Sequence, residues 1–169
     1  MTTILIDRYR RWFEYEKDVH QKVLASYETV PVEQQTAPAY QKSLDLFAHL
    51  ASARLLWLHR FGVREPGVKE LFPQGITLEE LRALVEEMHS AWTAYLAQME
   101  EAELSRCFAY KSLDAGRFRS SIDDILTQLF GHSWYHRGQI AALIKSIGGT
   151  PAVTDFVYWS RESMADETN

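Results

Sequence analysis

Apolar and polar residues alternate along this chain with a period close to that of an α-helix. From about Ile4 to Thr29, Leu5, Tyr9, Trp12, Phe13, Val19, Val23 and Tyr27 recur at helical spacing before Pro31, and the opposite face is charged. A second helix is predicted from Ala39, after Pro38, to Gly62, the residue type expected just past a helix end. Its run QKSLDLFAHLASARLLWLHRF is apolar over more than one stripe, as in a helix packed between neighbours. The stretch from Gly62 to Ile76 holds three Gly and two Pro and reads as a loop. Thr77 with Glu80 forms a capping box that opens a third helix, whose stripe is Leu81, Leu84, Val85, Met88, Trp92, Tyr95, Leu96 and Met99. In CFAYKSLDAGRFR the aromatics alternate on both sides of Asp114-Ala115-Gly116, which suits a small β-hairpin. Ser121 followed by Asp124 caps a fourth helix that runs to about Ile147 and stops at Gly148-Gly149. The tail carries Phe156, Tyr158 and Trp159 and is expected to pack back on the helices. The pattern predicts an all-α, up-down four-helix bundle with a possible β-hairpin between helices three and four, and one domain over residues 1–169.

Composition narrows the chemistry. The 169 residues include 18 Lys and Arg against 23 Asp and Glu, a net charge of −5. The basic residues are dispersed, which argues against nucleic acid as a partner. No run approaches the roughly 20 apolar residues that cross a bilayer, and the N-terminal stretch turns charged at Asp7. A cytoplasmic protein without membrane contact is therefore expected. Cys107 is the only cysteine, which excludes an internal disulfide framework and a Cys-rich zinc module. Its place in the hairpin suits a small packed side chain better than a nucleophile. Any metal must rely on histidine and carboxylate.

Six histidines are present: His20, His49, His59, His89, His132 and His136. On the fourth helix, Ile125, Leu129, His132, His136, Ile140 and Leu143 fall on one stripe, so both histidines are expected to point inward. Their i,i+4 spacing places the imidazoles one turn apart, close enough to grip one cation. The spacing alone leaves two readings open, a ligand pair and a pair of hydrogen-bonded core histidines. His49, midway along the second helix, is the best-placed third ligand, and Asp45 one turn earlier either accepts its free ring N–H or faces solvent and favours the start of its helix. His59 lies at the helix end, His20 in a charged stretch read as solvated, and His89 at the edge of the third stripe. Gln139, one turn from His136, is placed to orient a ligand or water. Arg137 is read as a surface or substrate-facing cation, and Gly138 as room for a close helix approach.

With these residues marked, the chain resembles the DinB/YfiT-like family of metalloenzymes. HSWYHRGQIAALIKSIGGTPAVTDFVYW carries the likeness most strongly, with YRRWFEYEKDV in the first helix and HLASARLLWL in the second. The resemblance implies a four-helix bundle and a divalent metal, Zn or Ni by ligand chemistry, on His49, His132 and His136. It also implies frequent homodimers, here expected through the aromatic-rich first and third helices, and thiol-dependent transfer with a low-molecular-weight thiol as co-substrate. Two function classes follow. One is a metal-dependent thiol transferase or hydrolase acting on a small molecule, and the other is a metal-binding structural or sensing protein without turnover. An open coordination position beside a cavity favours the first, and a fourth protein ligand the second.

Overall fold

The computed structural model describes residues 5–65, 67, 69–112 and 116–163. Four long helices dominate: α1 (Leu5–Ser26), α2 (Pro38–Arg60), α3 (Leu78–Gln98) and α4 (Ile122–Ser146). Helix α2 packs against both α3 and α4, and α1 against the same two from the other side, which makes the predicted all-α bundle. None of these helices is long and apolar enough to cross a membrane.

Local chemistry sets the ends. The chain after α1 tightens into a 3-10 turn at Tyr27–Thr29, so α1 stops short of the predicted Thr29. Pro38 occupies the first turn of α2, where its missing N–H costs nothing. Thr77 and Glu80 close the capping box of α3, and Ser121 Oγ accepts the Asp124 N–H at the start of α4. Gly62 and Gly148 follow α2 and α4 with φ of 75° and 80°, a conformation that only glycine adopts cheaply.

The hairpin is present as β1 (Cys107–Lys111) antiparallel to β2 (Arg117–Ser121), with Tyr110 opposite Phe118. The predicted turn at Asp114-Ala115 lies outside the described residues. Phe108 and Tyr110 face the bundle, against Phe61 at 5.2 Å and Trp57 at 4.8 Å between ring centroids. Cys107 faces the other way and is exposed, not packed as expected, because strand alternation turns it from Phe108. The tail forms a short helix, α5 (Phe156–Ser160), whose Phe156 and Trp159 meet Tyr15 at 5.1 and 5.8 Å.

Most of the core is apolar, with Phe47, Ala51, Leu81, Val85, Met88 and Trp92 fully buried. It also holds a polar network that the pattern did not predict. Glu16 on α1, completely buried, takes the Arg54 guanidinium of α2 on one carboxylate oxygen and Arg137 of α4, at 3.3 Å, on the other. Arg137 also donates to Ser133 Oγ at 3.2 Å and Tyr15 Oη at 2.8 Å. It is thus a core residue and not the surface cation expected. His20 and His89 are buried too, correcting the solvated and edge positions assigned to them. Their rings stack at 5.3 Å with Nδ1 of His20 3.0 Å from Nε2 of His89, and Nε2 of His20 faces Ser133 Oγ at 3.4 Å. A Cβ on Gly138 would meet nothing within 4 Å, so no close helix approach depends on it. The aromatic surface expected on α1 and α3 is also largely internal, since Tyr9, Phe13, Tyr15 and Trp92 are buried, while Trp134 and Tyr135 of α4 are exposed.

Two stability predictions follow from this core. Glu16→Ala leaves two buried guanidinium groups without a counter-ion and should cost about 3–5 kcal/mol, against about 1 kcal/mol for loss of the Thr77 cap in Thr77→Ala. Urea unfolding of both variants checks the ranking. Burial holds His89 down to about 4 and His20 well below its ordinary value, so each is neutral when folded but protonates near pH 6.5 when unfolded. The unfolded chain therefore binds more protons as pH falls, and stability present above about pH 6.5 should drain away toward about pH 4. Urea midpoints that stay flat across that window would contradict the buried-histidine pair.

Candidate metal centre

His49 lies midway along α2, and His132 and His136 are one turn apart on α4, the helix that packs against α2. Their Nε2 atoms converge, with His132 3.3 Å from His49 and 3.0 Å from His136. The three rings stand nearly perpendicular to one another, at 79°, 88° and 88°. The two α4 histidines sit at the rim of the core and not within it. The stripe that points to the centre is Leu126, Phe130, Ser133, Arg137, Ile140 and Ile144, one position round from theirs.

The far nitrogens are held elsewhere. His49 Nδ1–H donates to the Leu71 carbonyl at 2.8 Å, and His136 Nδ1–H donates to Gln139 Oε1 at 2.8 Å. A neutral imidazole with its proton on Nδ1 presents a bare lone pair at Nε2. Two such lone pairs therefore aim at the Nε2 of His132, which has at most one proton to share between them. Nitrogens on a tetrahedral Zn²⁺-like ion, each about 2.0–2.1 Å from it, would stand about 3.3 Å apart. The donor set thus fits a divalent cation better than it satisfies itself.

Electrostatics agree with the geometry. Burial, followed by the neighbouring His136 and His49, lowers His132 to about 4. Burial also lowers His49, opposed in part by its bond to Leu71. Both rings are consequently neutral near pH 7, the form that binds metal. The Phe72 ring lies flat on His49, 4.3 Å away and 9° from parallel, and screens that face from solvent. Among the described residues no fourth His, Cys, Asp or Glu joins the three.

Two cavities flank the cluster. One of about 570 Å³ is bounded by Lys42, Asp45, Leu46, His49, Phe72 and His136. A second, of about 230 Å³, has His49 and His132 in its wall. Each cavity thus has two of the three histidines in its wall.

Both supporting roles read from the sequence change. Asp45 does not touch the His49 ring; its Oδ1 accepts from Gln41 Nε2 at 2.9 Å and from the Ile76 N–H at 3.3 Å, and so anchors the end of the 62–76 loop. The Leu71 carbonyl, on that loop, does the work assigned to Asp45. Gln139 acts on the ring of His136 itself, at the i,i+3 distance that helical geometry provides. His59 turns to the Arg64 carbonyl at 3.2 Å, and neither it nor His20, His89 or Cys107 belongs to the cluster.

The sequence model described as the DinB family matches residues 1–167. "Protein DinB" of Bacillus subtilis (strain 168) is 25% identical over 79 residues, which are 47% of this chain and 45% of that relative. The match therefore spans less than half of either protein. No solved structure matches. With the helical bundle, the three-histidine cluster and a family match over almost all of its length, the chain belongs to the DinB family.

Proposed function

We propose that the protein is a metal-dependent enzyme, a thiol transferase or hydrolase, that holds a divalent ion on the Nε2 atoms of His49, His132 and His136. The observation that carries this reading is the convergence of three imidazole nitrogens whose outer nitrogens, in His49 and His136, are already committed to other acceptors. Zn²⁺ and Ni²⁺ suit an all-imidazole set. Such an ion supplies Lewis acidity, which eases the deprotonation of a thiol or a water at neutral pH.

The chain's own residues supply the rest. The Leu71 carbonyl and Gln139 fix tautomer and ring orientation, which sharpens the ligands' basicity. Three neutral ligands leave the positive charge uncompensated, ready to stabilise an anion in the adjoining cavities. A structural site would ordinarily close with a fourth protein ligand, and the cluster has three. These features support turnover over a structural or sensing role, with a small molecule in the cavity and a low-molecular-weight thiol as one reactant.

The test is metal content followed by activity. Tag-free protein should bind about one equivalent of Zn²⁺ or Ni²⁺ by mass spectrometry of the metal. His132→Ala should lose the ion while keeping helical circular dichroism, since the core is built from other residues. Gln139→Ala should weaken binding by roughly 10–100-fold. Unaltered metal content in His132→Ala would overturn the site. Metal-loaded protein that converts no electrophile with any thiol and hydrolyses no ester or amide would remove the enzymatic reading and leave the metal site.

A further inference from the structure

The smaller cavity has a direction. Its floor is one face of α2, on which His49, Ala53, Trp57 and Arg60 follow at helical intervals, and its opposite wall includes Gln128 and His132 of α4. It runs from the histidine cluster to the C-terminal end of α2. Small Ala53 keeps the middle open, and the hairpin closes the far end through Tyr110.

At that end stands Arg60. Its guanidinium lies over the Trp57 ring at 4.7 Å and the Tyr110 ring at 5.4 Å, and it donates to the Lys111 carbonyl at 3.1 Å. It is partly withdrawn from water. Yet among the described residues no carboxylate lies within ion-pair distance of it, and no acidic side chain lines this cavity. Arg54, which also lies against aromatic rings, has its carboxylate in Glu16. A stacked guanidinium without a counter-ion, at the end of a channel that starts on a metal-ligand cluster, is arranged to receive an anion. One planar fork, with no second cation lining the channel, matches a single carboxylate.

Resting on the metal reading above, we infer that the site takes an elongated ligand with a metal-binding head at His49 and His132 and a carboxylate at its far end on Arg60. The eleven steps along α2 from His49 to Arg60 rise about 16 Å, and Arg60 leans back over Trp57, so head and carboxylate are separated by roughly 10–15 Å. The middle of the ligand is apolar, to suit Ala53, Leu56 and Leu129. Neither a short acid nor a neutral chain of matching length satisfies both ends.

Cobalt-loaded full-length protein tests this, with mercaptoalkanoates as probes and the thiolate-to-cobalt absorption as readout. Co²⁺ binding alone, followed by its visible spectrum, reports on the metal site. Mercaptooctanoate should then bind at least about tenfold more tightly than mercaptooctanol, the size expected of a charge-assisted pair, and more tightly than mercaptoacetate. In Arg60→Gln the advantage over the alcohol should vanish, and in Arg60→Lys it should return in part, because the charge is restored without the fork. Circular dichroism and unchanged Co²⁺ uptake in the variants establish that they fold. Cobalt-loaded protein that shows no preference for the acid, or keeps its preference in Arg60→Gln, overturns the carboxylate site while the metal reading stands. A chain that takes up no cobalt overturns both.

Discussion

The arrangement depends on one carboxylate with no access to water. Glu16 is shared by two arginines from two other helices, so a single negative charge must offset two positive ones inside the bundle. Ionised groups are tolerated there only with close partners and hydrogen bonds. The remaining charge is spread over neighbours: Arg54 lies among the rings of Phe13, Trp92 and Phe130, and Arg137 between Tyr15 and Ser133. These geometries leave α1, α2 and α4 little freedom to rotate or slide. Arg137 directly follows His136, and Arg54 lies five residues beyond His49. Once the arginines turn to Glu16, the histidines fall about 100–140° round their helices, at the core's rim where α2 meets α4. The ion-pair core thus acts as the jig that brings three rings from two helices to one point.

Much of the fold was legible because its signals are local. Thr77 with Glu80, Ser121 with Asp124, and glycines placed past helix ends each act over a few residues, and each lies where the sequence placed it. The polar core was equally periodic but disguised by residue type. On α1 the buried positions include Tyr9, Phe13, Glu16, His20 and Val23, an unbroken alternation of four and three that Tyr27 continues in the turn beyond. Arg54 continues Phe47 and Ala51 in the same way on α2, as Arg137 continues Phe130 and Ser133 on α4. Reading a charged residue as solvent-facing set these positions aside. A charge that keeps the register of an apolar stripe is the signal that would have found them.

At the histidine cluster the three rings that meet could be named from the chain, whereas the groups that hold their outer nitrogens could not. Gln139 supports His136 across one turn, a relation fixed by helical geometry. His49 finds its acceptor 22 residues away in a segment without regular structure, and no spacing rule places Leu71 there. Asp45 had the right chemistry and the right spacing, but the loop it tethers through Ile76 supplies the acceptor in its stead. Spacing along one helix thus named groups within reach of a ring, but not which acceptor the ring takes when a loop offers another.

That difference divides the three ligands thermodynamically. His132 and His136 ride on a stiff helix, but the orientation of His49 is fixed by a backbone carbonyl and a stacked ring from the connecting loop. Whatever loosens that loop frees the imidazole to rotate, and whatever fixes the imidazole draws the loop down. Were an ion to bind the three rings as proposed, its capture would be coupled to the placement of Leu71 and Phe72. The affinity of such a centre for an ion would then depend on a segment that supplies none of the coordinating atoms, and changes in that segment would retune it without altering a single ligand.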